Sequence, residues 1–145
     1  MSLGNRVWID DGAGEAGFGT GYNNGVMDGD ENLNGVNGVL VELYLETQTP
    51  GVDTPLYTDT TDANGYYLFE RIQPDTRYIV HIAESNFDPG AALEHYLSST
   101  GTASAPIDVT DIDDNGIDNA DPATNGISSA AIELDYDDEP LTSNN

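Results

Sequence analysis

The chain has 145 residues, of which 27 are Asp or Glu and 3 are Lys or Arg, so its formal net charge at pH 7 is −24. The cationic side chains are Arg6, Arg71 and Arg77, and there is no Lys and no Cys. This composition excludes double-stranded DNA and anionic membranes as partners, because both bind clustered Lys and Arg. It also excludes disulfides, thiolate metal sites, Cys nucleophiles and a Lys–Asn isopeptide cross-link.

Apolar residues alternate with a period of two between turn signals, which predicts short β-strands. In chain order the strands are expected at 3–9, 36–45, 56–61, 65–70, 77–83 and 127–134, with a turn or edge piece at 93–97. The pair 56–61 and 65–70 is predicted to form a hairpin. In the strand 36–45, Val39, Val41, Leu43 and Leu45 are expected to face the core. Glu42, Tyr44 and Glu46 are expected on the other face.

Six Asn-Gly dipeptides, at 24, 34, 37, 64, 115 and 125, separate these strands. Asn-Gly favours tight turns because both residues tolerate positive φ. Many short strands joined by such turns predict an all-β, antiparallel β-sandwich. We expect one domain over 1–134, followed by an acidic linker or incomplete terminal strand at 135–145. With no apolar run long enough to span a membrane and no signal peptide at Met1, the chain is interpreted as a fragment of a longer protein.

The first acidic cluster fits a twelve-position calcium loop counted from Thr20. The bend glycine of that frame is Gly25, and the predicted ligands are Asn24, the Val26 carbonyl, Asp28 and the closing Glu31. Positions 1 and 3 lack carboxylates, and Asp10 and Asp11 fill them if the Gly-rich spacer 12–22 loops out. The alternative is a solvated loop with incidental acids.

A second cluster, 108–121, fits the same frame counted from Asp111. Its predicted ligands are Asp108, Asp111, Asp113, Asn115, the Ile117 carbonyl and Asp118, with Asp121 as a weaker candidate. Position 12 is Pro122, so Asp118, Asp121 or Asp108 must replace the closing Glu. The alternative is an acidic loop without an ion.

A third, weaker cluster comprises Asp59, Asp62 and Asn64. Calcium binding and a simple Asx turn at a hairpin tip are both open there. The two histidines are expected to be unremarkable, with His81 pointing outward from its strand and His95 in a loop. Two isolated His without Cys do not predict a zinc site.

Five ordered segments together resemble the SdrD B-like domain, the calcium-binding B repeat of bacterial surface adhesins, which is related to the collagen-adhesin B-type (CnaB) fold. The segments are 3–10 (LGNRVWID), 24–31 (NGVMDGDE), 36–43 (VNGVLVEL), 60–69 (TTDANGYYLF) and 72–80 (IQPDTRYIV). The resemblance implies a Greek-key, prealbumin-like sandwich. It also implies that Asp10, Asn24, Val26, Asp28 and Glu31 correspond to the family's calcium loop.

The function implied by the resemblance is that of a non-catalytic structural repeat in a secreted or cell-surface bacterial protein. Two to four Ca²⁺ ions are expected, and neighbouring repeats of the parent protein are the expected partners. One alternative is a host-, matrix- or sugar-binding module that uses exposed aromatics, for which the candidates are Tyr22, Tyr44, Tyr57 and Tyr66. Another is self-association through an open sheet edge. Halophilic acidity is less favoured, because the acids cluster with Asn and Gly in loops. Catalysis is the least favoured, because no pair of carboxylates is singled out beside a cleft-forming element.

Overall fold

A computed structural model of the chain describes residues 1–12, 23–27, 31–99 and 115–135. The strands are β1 (Ser2–Arg6), β2 (Leu40–Leu45), β3 (Tyr57–Thr60), β4 (Tyr66–Glu70), β5 (Thr76–Ile82), β6 (Ile127–Ser128) and β7 (Ile132–Leu134). Two 3-10 turns, Glu31–Leu33 and Glu84–Phe87, and the single-turn helix α1 (Pro122–Asn125) accompany them. The predicted all-β class is confirmed.

The strands form two antiparallel sheets. In one sheet β1 pairs with β4; in the other the order is β3-β2-β5-β6, and β7 also pairs with β5. A single core cluster takes Phe69 and Ile72 from the β4 side and Val41, Leu43 and Val80 from the larger sheet. Burial of one face of each sheet against the other is the arrangement of a β-sandwich.

Strand β2 shows both the success and the limit of the period-two pattern. Val39, Val41 and Leu43 are fully buried, as predicted. Tyr44 lies on the opposite face and was expected to be exposed, but only 1% of it is accessible. Its ring packs edge-on against the His81 ring, with the centroids 5.9 Å apart. The outer face of this sheet is therefore partly covered.

The predicted hairpin 56–70 is wrong, because β3 and β4 belong to different sheets. The turn itself forms, since the Gly65 amide donates to the Asp62 carbonyl at 3.0 Å. The chain then crosses between the sheets near Thr61. The Thr61 hydroxyl accepts from the Val39 amide at 2.9 Å and donates to the Val36 carbonyl at 2.6 Å. These bonds hold the crossing point against the entry to β2.

A close backbone crossing makes Gly65 necessary in this turn. Gly65 has φ 87°, and a Cβ there would lie 2.2 Å from the Val7 carbonyl oxygen and 2.9 Å from Gly35 Cα. Gly35 belongs to another of the predicted Asn-Gly pairs and forms a bridge with Trp8. Two Asn-Gly pairs thus meet where the first strand ends.

The last predicted strand, 127–134, is divided into β6 and β7, both of which pair with β5. Between them, the Ser129 hydroxyl accepts from the Val80 amide at 3.0 Å, where a regular ladder would place a carbonyl. This side-chain bond explains how β5 keeps its partner while the neighbouring strand is interrupted.

Candidate metal centres

Asp10 lies where the first strand leaves its sheet. The preceding residue is anchored by a bond from the Ile9 amide to the Asn34 carbonyl at 3.1 Å. Asp10 Oδ2 accepts from the Gly25 amide at 2.8 Å and from the Ser99 hydroxyl at 2.6 Å. The Asp10 carboxylate therefore joins three segments that are distant in sequence.

The other oxygen of the same carboxylate is unsatisfied within the described residues. Asp10 Oδ1 is buried and has no hydrogen-bond partner there, and no ion pair in that part of the chain includes Asp10. A buried acceptor without a partner costs about 1–3 kcal/mol, and more when it is charged. A cation bound to this oxygen would remove the cost and would also balance the charge of the carboxylate.

Glu31 begins the first 3-10 turn and is completely buried, with 0% exposure. Its Oε1 accepts from the Gly12 amide at 2.7 Å. Since Gly12 follows Asp10 and Asp11 directly, this bond brings the predicted closing glutamate beside the segment that carries the two predicted aspartates. The structure thus connects both halves of the first cluster.

The segment 23–27 forms the bend that the sequence predicts. Gly25 has φ 73°, and Asn24 Oδ1 accepts from the Val26 amide at 2.7 Å. The Val26 side chain is exposed, which fits a residue expected to contribute only its carbonyl. Asp11 is exposed, and its Oδ1 accepts from Asn34 Nδ2 at 3.2 Å. Asp28 lies outside the described residues.

Most of the second cluster, including Asp108, Asp111 and Asp113, also lies outside the described residues. Asn115 Oδ1 accepts from Asn5 Nδ2 at 3.2 Å. The Ile117 amide donates to the Ser128 carbonyl at 2.8 Å, and Asp118 is exposed. The exposed Asp121 offers its carbonyl to the first turn of α1. Calcium binding by these residues remains a prediction.

The acidic side chains of the third cluster accept hydrogen bonds from backbone amides. Asp59 Oδ2 accepts from the Leu68 amide at 2.8 Å. Asp62 Oδ1 accepts from the amides of Asn64 at 2.8 Å and Tyr66 at 3.1 Å, an Asx-type turn. The Asn64 carbonyl accepts from Arg6 Nε at 2.7 Å. These contacts give the acids a structural role at the turn, and a calcium ion there remains a prediction.

A polar cluster that the sequence analysis missed lies on the outer face of the larger sheet. Glu42 of β2, His81 of β5 and Ser128 of β6 are direct cross-strand neighbours. His81 is fully buried, contrary to the expectation of an outward-pointing side chain. The strand pattern assigned it to the correct face, but no signal in the pattern showed that Tyr44 and the turn at Gly51 cover that face.

Burial governs the titration of this cluster. Burial and the bond that Tyr44 donates to Glu42 Oε2, at 2.6 Å, raise the pKa of Tyr44 to about 12. Burial lowers the pKa of His81, outweighing the opposing effect of Glu42 and Glu84. His81 therefore favours the neutral imidazole in the folded protein.

A groove of about 570 Å³ separates β1 from β5 and β6. Its lining includes Leu3, Val80, Ile82 and Ile127, together with Asp10 and Ser99 at one end. The groove therefore reaches from the apolar core to the first acidic cluster.

Within the described ranges, no three His, Cys, Asp or Glu side chains converge closely enough to hold a metal ion by themselves. Any ion at the first cluster therefore needs carbonyl, amide or water oxygens as well, which Ca²⁺ accepts readily. No helix in this part of the chain is both long and apolar enough to cross a membrane.

The fold and these loops define a small antiparallel β-sandwich with acidic, turn-rich connections. The chain belongs to the SdrD B-like domain family, whose profile matches residues 1–94. Domains of this family are structural parts of surface adhesins. Searches of curated proteins and of solved structures found no match to the chain.

Proposed function

We propose that this chain is a structural module of an extracellular bacterial surface protein, stiffened by Ca²⁺ bound where Asp10, the 24–26 bend and Glu31 meet. The observation that carries the proposal is the buried Asp10 Oδ1, which has no hydrogen-bond partner in the part of the chain that the structure describes. Family membership supports the surface location and the structural role.

Glu31 is fully buried and its Oε1 accepts from the Gly12 amide, while Asp10 Oδ2 accepts from the Gly25 amide. The ligands expected for the ion are the remaining carboxylate oxygens of Asp10 and Glu31, the Asn24 side-chain oxygen and the Val26 carbonyl. Ca²⁺ takes six to eight such ligands. Among the described residues, Asp10 is contacted by a backbone amide and a hydroxyl and by no Arg side chain, so we take a cation from solution as its counter-charge.

Binding of Ca²⁺ to the folded state alone stabilises that state by linkage. One site contributes about 2.7 kcal/mol when free Ca²⁺ exceeds Kd a hundredfold. Extracellular calcium modules typically have Kd values of about 10⁻⁴–10⁻³ M. Such sites remain filled in calcium-rich surroundings, and they would couple the loop 23–31 to the end of β1. We propose that residues 1–134 act as one such unit beside neighbouring repeats.

The test is a calcium titration followed by both native mass and thermal melting. We expect EDTA to lower the melting temperature by roughly 10 °C per strongly linked site, since about 1 kcal/mol corresponds to about 4 °C in a domain of this size. In Asp10→Asn the calcium-dependent shift should shrink and one bound ion should be lost. The matched control is Asp88→Asn, an exposed aspartate outside all three clusters.

Identical melting of the wild-type chain with Ca²⁺ and with EDTA would overturn the proposal. An equal calcium response in Asp10→Asn and wild type would show that the stabilising ion binds at another cluster. Since the family assignment rests on sequence, neither result would alter it.

The sugar-binding alternative has less support in the described residues. Tyr44 is buried, and Tyr66 lies under the Arg6 guanidinium, 5.3 Å from its ring centroid. Tyr57 and Tyr66 belong to different sheets. These three rings therefore do not form one exposed row, and Tyr22 lies outside the described residues.

A further inference from the structure

The covered cluster on the outer face of the larger sheet contains a second unsatisfied atom. His81 Nε2 is buried and has no hydrogen-bond partner within the described residues. The nearest carboxylate oxygen recorded for it, Glu84 Oε2, lies 3.8 Å away. That distance is too long for a hydrogen bond.

The opposite ring nitrogen is held in place. His81 Nδ1 lies 2.9 Å from the Ser128 hydroxyl oxygen. When Nδ1–H donates to that oxygen, the lone pair of the imidazole is on Nε2 and faces Glu84. Histidines that bind metals use this arrangement, in which an oxygen acceptor fixes the tautomer through the other ring nitrogen.

We propose that His81 Nε2 and the Glu84 carboxylate form a binding site for a first-row transition-metal dication such as Zn²⁺. Zinc binds imidazole nitrogen at about 2.0–2.1 Å and carboxylate oxygen at about 2.0–2.2 Å. The sum of these two lengths slightly exceeds the 3.8 Å between the two atoms. A tetrahedral angle at zinc needs the two donor atoms somewhat closer than this, so the half-exposed Glu84 side chain has to turn toward His81 when the ion binds.

The surroundings supply charge and space for this ion. Glu42 lies directly across the strand pair from His81, but its Oε2 accepts from the Tyr44 hydroxyl at 2.6 Å, so Glu42 adds negative charge to the cluster and is not a third ligand. Gly51 faces both donor atoms, and a Cβ there would lie 3.6 Å from Glu84 Oε2 and 4.0 Å from His81 Nε2. The Glu84 side chain is 43% exposed, so water can complete the coordination shell from that side.

The donor set separates this site from the acidic loops. Ca²⁺ prefers oxygen ligands only, whereas imidazole with carboxylate favours zinc, copper or nickel. The site is therefore expected to bind Zn²⁺ while the loops are saturated with Ca²⁺.

The chain offers a matched control in its other histidine. His95 is 87% exposed and lies 3.2 Å from Glu94 Oε1, so it is an accessible pair for adventitious zinc. His95→Gln removes that pair and leaves His81 as the single histidine. The full chain carrying His95→Gln, in excess Ca²⁺, is titrated with ZnCl₂ by calorimetry, and the His81 ring is followed by NMR.

We expect one Zn²⁺ per chain in His95→Gln, with a shift of the His81 ring signals. Adding Glu84→Gln should weaken binding at least about tenfold, since even indirect ligand partners are worth 10–100-fold. Glu84 is half exposed, so this variant should fold, and its calcium response should equal that of wild type. Absence of zinc binding in His95→Gln, unshifted ring signals, or equal affinity with Glu84→Gln would each overturn the proposal.

Discussion

The two buried side-chain atoms without hydrogen-bond partners in the described ranges lie in contrasting surroundings. Asp10 Oδ1 is a carboxylate oxygen at a junction of loops, where the other oxygen of the same carboxylate accepts from a backbone amide and a hydroxyl. His81 Nε2 is a nitrogen on a rigid strand, packed against Tyr44 and facing a single carboxylate.

The contrast is the reason that we propose different ions for the two atoms. A carboxylate oxygen among loop oxygens suits a large, flexible coordination sphere of the kind that Ca²⁺ adopts. An imidazole held on a paired strand presents one nitrogen ligand in a fixed direction, and nitrogen ligands suit a transition metal. The acidic junction should therefore control the ordering of loops, and the histidine cluster should act within an already folded sheet.

The largest expected effect is on the histidine side, from Gly126→Ala. Gly126 has φ 63°, and a Cβ there would lie 2.3 Å from His81 Cε1 and 2.4 Å from the Ile82 carbonyl oxygen. Displacing the ring and the backbone should cost about 3 kcal/mol or more. Urea unfolding in excess Ca²⁺ measures this cost.

Gly38→Ala is the control for that substitution. Gly38 also has positive φ, 81°, but a Cβ there would meet nothing within 4 Å. Its cost should be only about 1 kcal/mol, from backbone strain alone. Equal losses in the two variants would show that the contact with His81 contributes little to stability.

On the acidic side, Glu31→Gln should remove most of the stability gained from Ca²⁺ at that junction. The expected loss is about 2–3 kcal/mol of the calcium-dependent increment, because a neutral amide is a poor replacement for a closing carboxylate. Unfolding midpoints with Ca²⁺ and with EDTA give the increment. Glu70→Gln, at the exposed end of β4, should keep the full increment; a full increment in Glu31→Gln would contradict the assignment.

A smaller effect is expected from Tyr44→Phe. The hydroxyl donates to Glu42 Oε2 at 2.6 Å and accepts from the Gly51 amide at 3.3 Å. Losing both bonds should cost about 1–2 kcal/mol without changing the calcium response. Tyr57→Phe, at a half-exposed tyrosine of β3, should change stability by less than about 0.5 kcal/mol. A calcium response altered by Tyr44→Phe would show that the two regions are coupled.

The smallest expected effect is a pH dependence of the metal-free chain. Burial lowers the pKa of His81 below its ordinary value of 6.5. Below pH 6.5 the unfolded state then binds more protons than the folded state, so stability is full above this pH and falls as the pH decreases toward the folded pKa. Urea midpoints in chelator between pH 7 and about 5.5 measure the slope before most carboxylates titrate.

The chain with His95→Gln should show the same slope, because the buried histidine is retained. A midpoint independent of pH in this range would mean that His81 is protonated equally in both states. The Asp10 junction and the His81 cluster would then differ only in the metals proposed for them.

The alternation of apolar residues was sufficient to predict the strands and the buried face of β2, including Val39, Val41 and Leu43. The calcium-loop frame also predicted the bend at Gly25, whereas the link between Glu31 and the segment after Asp10 runs through the Gly12 amide, and calcium binding there stays a prediction. The burial of His81 and Tyr44 was not predictable, since it depends on which loop covers the outer face. The hairpin failed for a related reason, because strand partners are chosen by packing between sheets as well as by turn residues.

The carboxylates of Asp59 and Asp62 affect whether another strand can pair with the outer edge of β4. Asp59 accepts from the Leu68 amide and Asp62 accepts from the Tyr66 amide. The Val7 amide bonds to the Gly65 carbonyl, so the backbone N–H and C=O groups of the odd-numbered residues of β4 point toward β1 and those of the even-numbered residues point away from it. Both amides therefore lie on the outer edge of β4, where an extra strand would otherwise dock. The two carboxylates thus occupy two of the backbone donors of that edge and place negative charge beside it, which leaves fewer donors there for a strand from another chain.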